Sequence, residues 1–127
     1  MTDPNPKTLA LISHDGKKAD MVAFAMEHKD VLRRYELVAT RTTGQLLRDK
    51  CGLNVKQMLS GPMGGDAQIA AQVAEGKIEA VFFFVDPLTA NPHDPDIQGL
   101  LRICNVHNVP LATNAATASF IISSKAL

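Results

Sequence analysis

Short apolar runs alternate five times with segments of helical periodicity along this chain of 127 residues. The apolar runs have the length of strands, and the segments between them carry apolar residues at helical spacing. Strands and helices that alternate in this way build a mostly parallel sheet with right-handed crossovers. The sequence therefore predicts an α/β fold: a three-layer sandwich whose open, mostly parallel five-stranded sheet is Rossmann-like and doubly wound, with helices on both faces. The expected strands are 8–13, 35–39, 55–59, 78–85 (the central one) and 109–112, and the expected helices are 17–28, 44–50, 67–75, 97–107 and 115–123.

Composition limits the possible partners and the compartment. We expect residues 1–127 to form a single domain with a sizeable core. The 13 Lys and Arg residues balance 13 Asp and Glu residues, so the chain lacks the basic surface with which proteins bind nucleic acid or an anionic membrane. Cys51 and Cys104 belong to no CxxC pair, which predicts two reduced thiols. Residues 1–7 contain no apolar signal segment, and the run 80–85 is too short to span a bilayer. The sequence predicts a soluble cytoplasmic domain.

The stretch Ser60-Gly61-Pro62-Met63-Gly64-Gly65-Asp66 lies between the third expected strand and the helix that follows it. Its glycines and proline indicate a tight turn that a ligand can approach closely. The positive end of the following helix makes this turn a candidate phosphate site. Asp66 has two interpretations: it is a helix N-cap, or it is a carboxylate placed beside an anion because it has chemistry to perform.

Polar residues follow each of the first four expected strands, and ligands of open parallel sheets bind beyond these carboxyl ends. Hydroxyl and N–H groups of Thr42, Thr43 and Ser60 suit a phosphate, and Lys17 and Lys18 suit its charge. The polar clusters are 14–15, 40–43, 60–66, 86 and 93–96.

His14 and His93 both lie beside carboxylates and have two interpretations. Imidazole and carboxylate groups suit a Zn²⁺ or Mn²⁺ site, although the sequence has no HxxxH or HxH pair. Alternatively, the groups transfer protons, with Asp66 as the base and a histidine as electrophile or proton shuttle. A phosphate site, a carboxylate base and a neutral imidazole together suit the enolisation of a small phosphorylated ketone.

Several motifs resemble those of methylglyoxal synthases, and the resemblance extends over residues 9–122. They are Leu59 to Asp66 with Gln68, Phe84-Val85-Asp86-Pro87-Leu88, Pro92-His93-Asp94-Pro95-Asp96, Leu111-Ala112-Thr113-Asn114, Ala10 to Asp15 with Lys18, and the turn Thr40 to Gly44.

The resemblance implies a methylglyoxal synthase-like fold and a lyase that converts dihydroxyacetone phosphate to methylglyoxal and inorganic phosphate without cofactor or metal. It implies that Asp66 is the base, that His93 polarises the carbonyl and moves protons between the enediol oxygens, and that Asp96 orients His93. It also implies a homohexamer in a glycolytic bypass, inhibited allosterically by phosphate. The residues implied to bind or support the substrate are His14, Asp15, Lys18, Thr40, Arg41, Thr42, Thr43, Ser60, Gly61, Gly65 and Asp86.

Two rival functions use related site chemistry. The same fold serves as a phosphate- or nucleotide-sensing regulatory domain, which needs the phosphate turns but not Asp66 and His93 together. A metal-dependent phosphohydrolase is the other alternative, and a chelator would inhibit it.

Arg41 departs from the pattern, because the turn in the family usually reads Thr-Gly-Thr-Thr-Gly. If this position needs a positive φ, arginine costs about 1 kcal/mol or more. Otherwise the guanidinium contacts the phosphate or points into solvent.

Overall fold

A computed structural model describes residues 7–89 and 97–125 of the chain. Five parallel strands form one sheet in the order β3-β2-β1-β4-β5, which confirms the predicted doubly wound α/β fold. The strands are β1 (Thr8–Ser13), β2 (Glu36–Ala39), β3 (Val55–Gln57), β4 (Ile78–Phe84) and β5 (Leu111–Ala112). The helices are α1 (Lys18–Glu27), α2 (Lys29–Leu32), α3 (Arg41–Cys51), α4 (Gly65–Ala74), α5 (Ile97–Val106) and α6 (Ala115–Lys125), with 3₁₀ turns at Asp15–Lys17 and Gly61–Met63.

The sheet is buried on both faces, and β1 shows why its sequence is almost continuously apolar. Leu9 and Leu11 pack into one core, with residues of α1, α3 and α6. Ala10 and Ile12 point to the opposite face and pack into a second core, with residues of α4 and α5. Successive side chains of a strand alternate between faces, so a strand covered on both sides needs apolar residues at every position. The result is the predicted three-layer arrangement.

The prediction that residues 78–85 form the central strand is wrong. The central strand is β1, and β4 lies next to it, paired in parallel from Thr8–Ile78 to Ser13–Phe84. β4 is covered on both faces as well, and hydropathy does not distinguish a central strand from its interior neighbour. The strand order also reverses between β1 and β4, where α1 leaves to one face and α5 to the other. Such a reversal opens a crevice at the carboxyl ends of the two strands.

Two helices begin at least two residues earlier than the sequence predicts. α3 begins at Arg41 rather than at residue 44, and α4 begins at Gly65 rather than at residue 67. The short helix α2 was not predicted. α3 ends at the C-cap Gly52, whose left-handed backbone has a φ of 66°.

Candidate active site

His14 connects the carboxyl ends of β1 and β4, and its side chain is buried. Its backbone N–H donates to the Phe84 carbonyl at 3.0 Å. Its ring Nδ1 accepts the backbone N–H of Asp86 at 3.0 Å, and the ring meets Phe83 edge-on at 5.3 Å between centroids. A ring nitrogen that accepts a hydrogen bond carries no proton, so the neutral imidazole of His14 holds its proton on Nε2. The fold thus fixes both the position and the tautomer of this predicted site residue.

Asp86 follows β4 and lies beside Gly16. Asp86 Oδ1 accepts the backbone N–H of Leu88 at 3.0 Å. This hydrogen bond is the main reason that the pKa of Asp86 lies below its ordinary value of 3.8. A Cβ atom on Gly16 would overlap Oδ2 of Asp86, so a larger residue at position 16 would displace this carboxylate. Asp86 therefore remains a carboxylate at neutral pH.

Lys18 is tied to the end of β1 by two contacts. Its Nζ donates to the Ser13 carbonyl at 3.1 Å and pairs with Asp15 Oδ1 at 2.9 Å. The Lys18 side chain is only 17% exposed, whereas that of Asp15 is 63% exposed. The ammonium group of Lys18 is consequently held in one place near the start of α1.

The turn after β2 is the first turn of α3, with Thr40 at its N-cap. In the described part of the chain, no side chain makes the usual capping hydrogen bond to the first N–H groups of this helix. The Thr40 hydroxyl donates instead to Thr43 Oγ1 at 3.4 Å, and Thr43 Oγ1 lies 3.0 Å from Ser13 Oγ. The Thr40 hydroxyl therefore leaves the N–H groups of Thr42 and Thr43 uncapped, an arrangement that suits an anion.

The four side chains of this turn face different surroundings. Thr40 and Thr43 are 2% and 1% exposed, whereas Arg41 and Thr42 are exposed. Of the three predicted threonine ligands, Thr42 therefore presents its side chain to solvent, and the other two hydroxyls face the interior.

Arg41 is not strained. Asn108 is the one non-glycine residue with positive φ among those described, and Arg41 occupies the first position of α3. Its backbone N–H donates to the Leu59 carbonyl at 3.3 Å. This bond ties the start of α3 to the end of residues 55–59, which we call the β3 segment. The alternative in which Arg41 has a strained backbone is wrong. Because its side chain is exposed, the other two alternatives stay open: a contact with the phosphate, or an orientation into solvent.

The stretch 60–66 forms the turn that the sequence predicts. The Ser60 carbonyl accepts the N–H groups of Met63 at 3.0 Å and Gly65 at 2.9 Å, and Gly64 has a left-handed φ of 97°. A Cβ atom on Gly65 would overlap the Leu59 carbonyl. The glycines thus allow α4 to begin directly against the end of the β3 segment.

Asp66 is the second residue of α4, and its side chain is half-buried. The N-cap of this helix is Gly64, so the interpretation of Asp66 as an N-cap is wrong. A carboxylate in the first turn still interacts favourably with the helix dipole. Asp66 therefore stands beside the turn of Ser60 and Gly61, where the sequence predicts a phosphate.

The other predicted catalytic residues, His93 and Asp96, lie outside the described residues. The alternative metal site combines His14 and Asp15 with residues 93–96, and most of these ligands also lie outside the described residues. Residues 7–89 and 97–125 contain no group of three His, Cys, Asp or Glu side chains arranged to hold a metal ion. No helix in these ranges is both long and apolar enough to cross a membrane.

A cavity of about 410 Å³ opens beside these groups, at the carboxyl ends of β4 and β5. Its walls are mainly apolar and include Val85, Pro87 and Leu101, and Lys17 lies at its edge. Lys17, which the sequence predicts as a charge for the phosphate, lines this cavity, whereas the other predicted site residues within the described ranges do not. Those residues lie instead along the ends of β3, β2, β1 and β4, joined by the hydrogen bonds described above.

Ser13 is the residue of this region that the sequence did not single out. It is 1% exposed and contacts Thr43 through its hydroxyl and Lys18 through its carbonyl. A polar residue that ends an otherwise apolar buried strand was the available signal.

Comparison with known proteins identifies the family. A family model described as MGS-like domain matches residues 20–113. The chain is 61% identical to a methylglyoxal synthase of Thermus thermophilus over 117 residues, which cover 92% of this chain and 93% of that protein. The chain belongs to the methylglyoxal synthase family.

Other members of the family agree in sequence and in structure. A methylglyoxal synthase of Clostridium beijerinckii is 58% identical over 90% of this chain and 96% of its own length. The crystal structure of methylglyoxal synthase from Elizabethkingia anophelis superposes with a TM-score of 0.91 at 45% identity, covering 94% of this chain and 79% of that one.

Proposed function

We propose that this chain is a lyase that converts dihydroxyacetone phosphate to methylglyoxal and inorganic phosphate. The observation that carries the proposal is its 61% identity to a methylglyoxal synthase over 93% of that protein's length. The groups at the carboxyl ends of the strands are consistent with this activity, because they combine the uncapped start of α3, the anchored Lys18 and the carboxylate of Asp66. The relatives also favour the enzyme over a regulatory domain, since they bear the name of the synthase.

The phosphate of the substrate would bind between the first turn of α3 and the turn at Ser60 and Gly61. The backbone N–H groups of Thr42 and Thr43 and the positive end of α3 would supply hydrogen bonds and partial charge. Lys18, which is fixed against the Ser13 carbonyl, would add a full positive charge. These donors are held by the fold before substrate arrives, so little reorganisation is needed on binding.

Asp66 would take a proton from the hydroxymethyl carbon of the substrate. The phosphate of the substrate would lie beside this carboxylate, at the turn of Ser60 and Gly61. His93 would polarise the carbonyl and move protons between the enediol oxygens, and Asp96 would orient that imidazole. Further residues at the carboxyl ends of the strands would support the substrate: His14, Asp15, Arg41, Gly65 and Asp86.

The outcome of the reaction depends on how the phosphate is held. Elimination from the enediolate needs the bond between carbon and the phosphate oxygen to lie parallel to the π orbitals. A site that holds the phosphate out of the enediolate plane therefore expels it, whereas an in-plane phosphate favours isomerisation. We infer that the donors on α3 and at Ser60 hold the phosphate out of this plane.

The test is an endpoint assay of the purified protein with dihydroxyacetone phosphate, in the presence and in the absence of EDTA. Methylglyoxal and inorganic phosphate are both quantified, and Asp66→Asn serves as the control. Equal amounts of the two products, lost in the variant, support metal-free elimination. Glyceraldehyde phosphate without phosphate release contradicts the out-of-plane geometry, and inhibition by EDTA indicates the metal-dependent alternative. Absence of turnover with retained phosphate binding favours the regulatory domain.

We also propose the finer properties that the resemblance implies. The chain would act in the cytoplasm as a single-domain protomer of a homohexamer, in a glycolytic bypass, and would be inhibited allosterically by inorganic phosphate. Its two cysteines, both buried and free, are consistent with a reducing compartment.

A further inference from the structure

The Ser13 side chain links the central strand to the start of α3 through a run of three hydroxyls. Ser13 Oγ lies 3.0 Å from Thr43 Oγ1, and Thr40 Oγ1 donates to the same Thr43 oxygen at 3.4 Å. All three residues are at most 2% exposed. We call Ser13, Thr43 and Thr40 the hydroxyl chain.

The hydroxyl chain explains why α3 starts without a side-chain cap. A threonine at the N-cap ordinarily accepts the backbone N–H of the second or third helical residue, here Thr42 or Thr43. Thr40 has the extended backbone of an N-cap, with φ of −62° and ψ of 156°, yet its hydroxyl makes no such bond within the described structure. The hydroxyl is directed instead at Thr43 Oγ1.

Ser13 is the fixed end of this arrangement. It is the last residue of β1, where it lies in register with Phe84, and its carbonyl also receives Lys18 Nζ at 3.1 Å. Its position is therefore set by the sheet and not by α3. A hydroxyl group offers one donor and two acceptor sites, so Thr43 can bond Ser13 and Thr40 at the same time.

We propose that Ser13 is a positioning residue for phosphate binding. Its hydroxyl holds Thr43 and, through it, Thr40 in an inward orientation, and so keeps the N–H groups of Thr42 and Thr43 open to the phosphate of the substrate. Without Ser13, the Thr43 hydroxyl turns away and the Thr40 hydroxyl makes the ordinary cap, which competes with phosphate for the same N–H groups. The inference rests on the proposed function for the identity of the substrate, and on the geometry of the described residues for the rest.

The test measures binding of inorganic phosphate by isothermal titration calorimetry, together with KM and kcat for dihydroxyacetone phosphate. Ser13→Ala should weaken phosphate binding and raise KM about fivefold, because a threonine N-cap that competes with phosphate is worth about 1 kcal/mol. The kcat should stay within about twofold, because Ser13 does not touch the reacting atoms. Thr43→Val should weaken binding at least as much. Adding Ser13→Ala to Thr43→Val should change nothing further, because Ser13 acts through Thr43.

Ser119→Ala is the matched control. It also removes a hydroxyl with one side-chain partner, His28 Nε2 at 2.9 Å, but it lies on α6. Its phosphate affinity should equal that of the unaltered protein. Ser13→Cys keeps the volume of the side chain and should weaken binding in the same direction if Ser13→Ala proves poorly folded.

Unchanged phosphate affinity in Ser13→Ala overturns the inference, because the cap would then not depend on Ser13. Additive effects of Ser13→Ala and Thr43→Val overturn it as well. A lower melting temperature without weaker phosphate binding assigns Ser13 a purely structural role. If the unaltered protein binds phosphate but forms no methylglyoxal, the proposed function fails while the binding measurements still decide the role of Ser13. If it binds no phosphate, both fail.

Discussion

Asp66 does not cap α4, since Gly64 takes the N-cap, and we propose Asp66 as the base. Asp66→Asn should therefore lower kcat by roughly 10²–10⁴-fold or more, while inorganic phosphate binds with nearly unchanged affinity. Asp66→Glu is the matched comparison: it keeps the carboxylate but displaces it, which should cost on the order of 10²-fold in kcat. Steady-state kinetics and phosphate calorimetry measure the two effects. Wild-type kcat in Asp66→Asn would exclude this residue as the base.

The ionisation of Asp86 makes the unfolding free energy of the protein depend on pH. The Leu88 N–H holds the pKa of this carboxyl below 3.8 in the folded protein. A lowered pKa stabilises the fold above pH 3.8, and this contribution is lost as the pH falls through the folded-state value. Asp86→Asn should therefore lower the unfolding free energy at pH 7, and its difference from the unaltered protein should shrink below about pH 4. Urea unfolding at pH 7, 5 and 3 measures it, and a difference that is the same at all three values contradicts the assignment.

At the level of single residues, the sequence predicts types and approximate places but not directions. It groups Thr40, Thr42 and Thr43 as phosphate ligands, yet only Thr42 presents its side chain to solvent. Which threonine points inward depends on where α3 starts, because each helical position turns the side chain by about 100°. Ser13 escapes notice for a similar reason, since its role is visible only once β1 is placed beside α3.

The turn between β3 and α4 depends on two neighbouring glycines for different reasons. Gly64 has φ of 97° but open space around it, whereas a Cβ atom on Gly65 would overlap the Leu59 carbonyl. Gly64→Ala should cost about 1–2 kcal/mol of unfolding free energy through backbone strain and leave the turn in place. Gly65→Ala should lower stability more and reduce kcat, because α4 and Asp66 must move away from the β3 segment. Denaturant unfolding and kinetics of the matched pair decide this, and equal effects of the two substitutions contradict the role of the close approach.

The elements themselves are largely predictable, because their apolar periodicity reflects burial. β1 has the predicted bounds of residues 8–13, and α5 ends at Val106, one residue before the predicted end. The predicted start of α3 at residue 44 is wrong, because the helix begins at Arg41. Threonine is favoured at caps and turns, so Thr42 and Thr43 predict a loop. In the structure Thr40 is the N-cap, and Thr42 and Thr43 are helical. Helix starts depend on which of several suitable residues becomes the cap, and local sequence does not decide this.

On the scale of the whole molecule, the sequence predicts the layers but not the order of the strands. Two-sided burial makes both β1 and β4 apolar throughout, so hydropathy alone cannot assign the centre. The order β3-β2-β1-β4-β5 brings His14 beside Asp86, although 72 positions separate them in the chain. The candidate site therefore follows from the topology as much as from its motifs.

We propose that further copies of the chain cover some of its exposed apolar side chains. An aromatic ring such as that of Phe120 on α6, which is 73% exposed, contributes strongly to an interface when it is buried. Six large hydrophobic residues within the described ranges are 47–93% exposed: Met26, Leu59, Met63, Leu88, Val106 and Phe120.

Light scattering coupled to size exclusion should give a mass of about six times the 13.7 kDa of one chain, as a homohexamer requires. Because burial of an aromatic ring contributes a large share of an interface, Phe120→Ser should shift the mass towards smaller species. Phe120→Leu keeps the side chain apolar and should retain most of the larger species, which separates lost apolar contact from general destabilisation. A single-chain mass for the unaltered protein contradicts the hexamer. A full-size assembly of Phe120→Ser shows instead that α6 faces solvent at this residue and that the contacts between copies lie elsewhere.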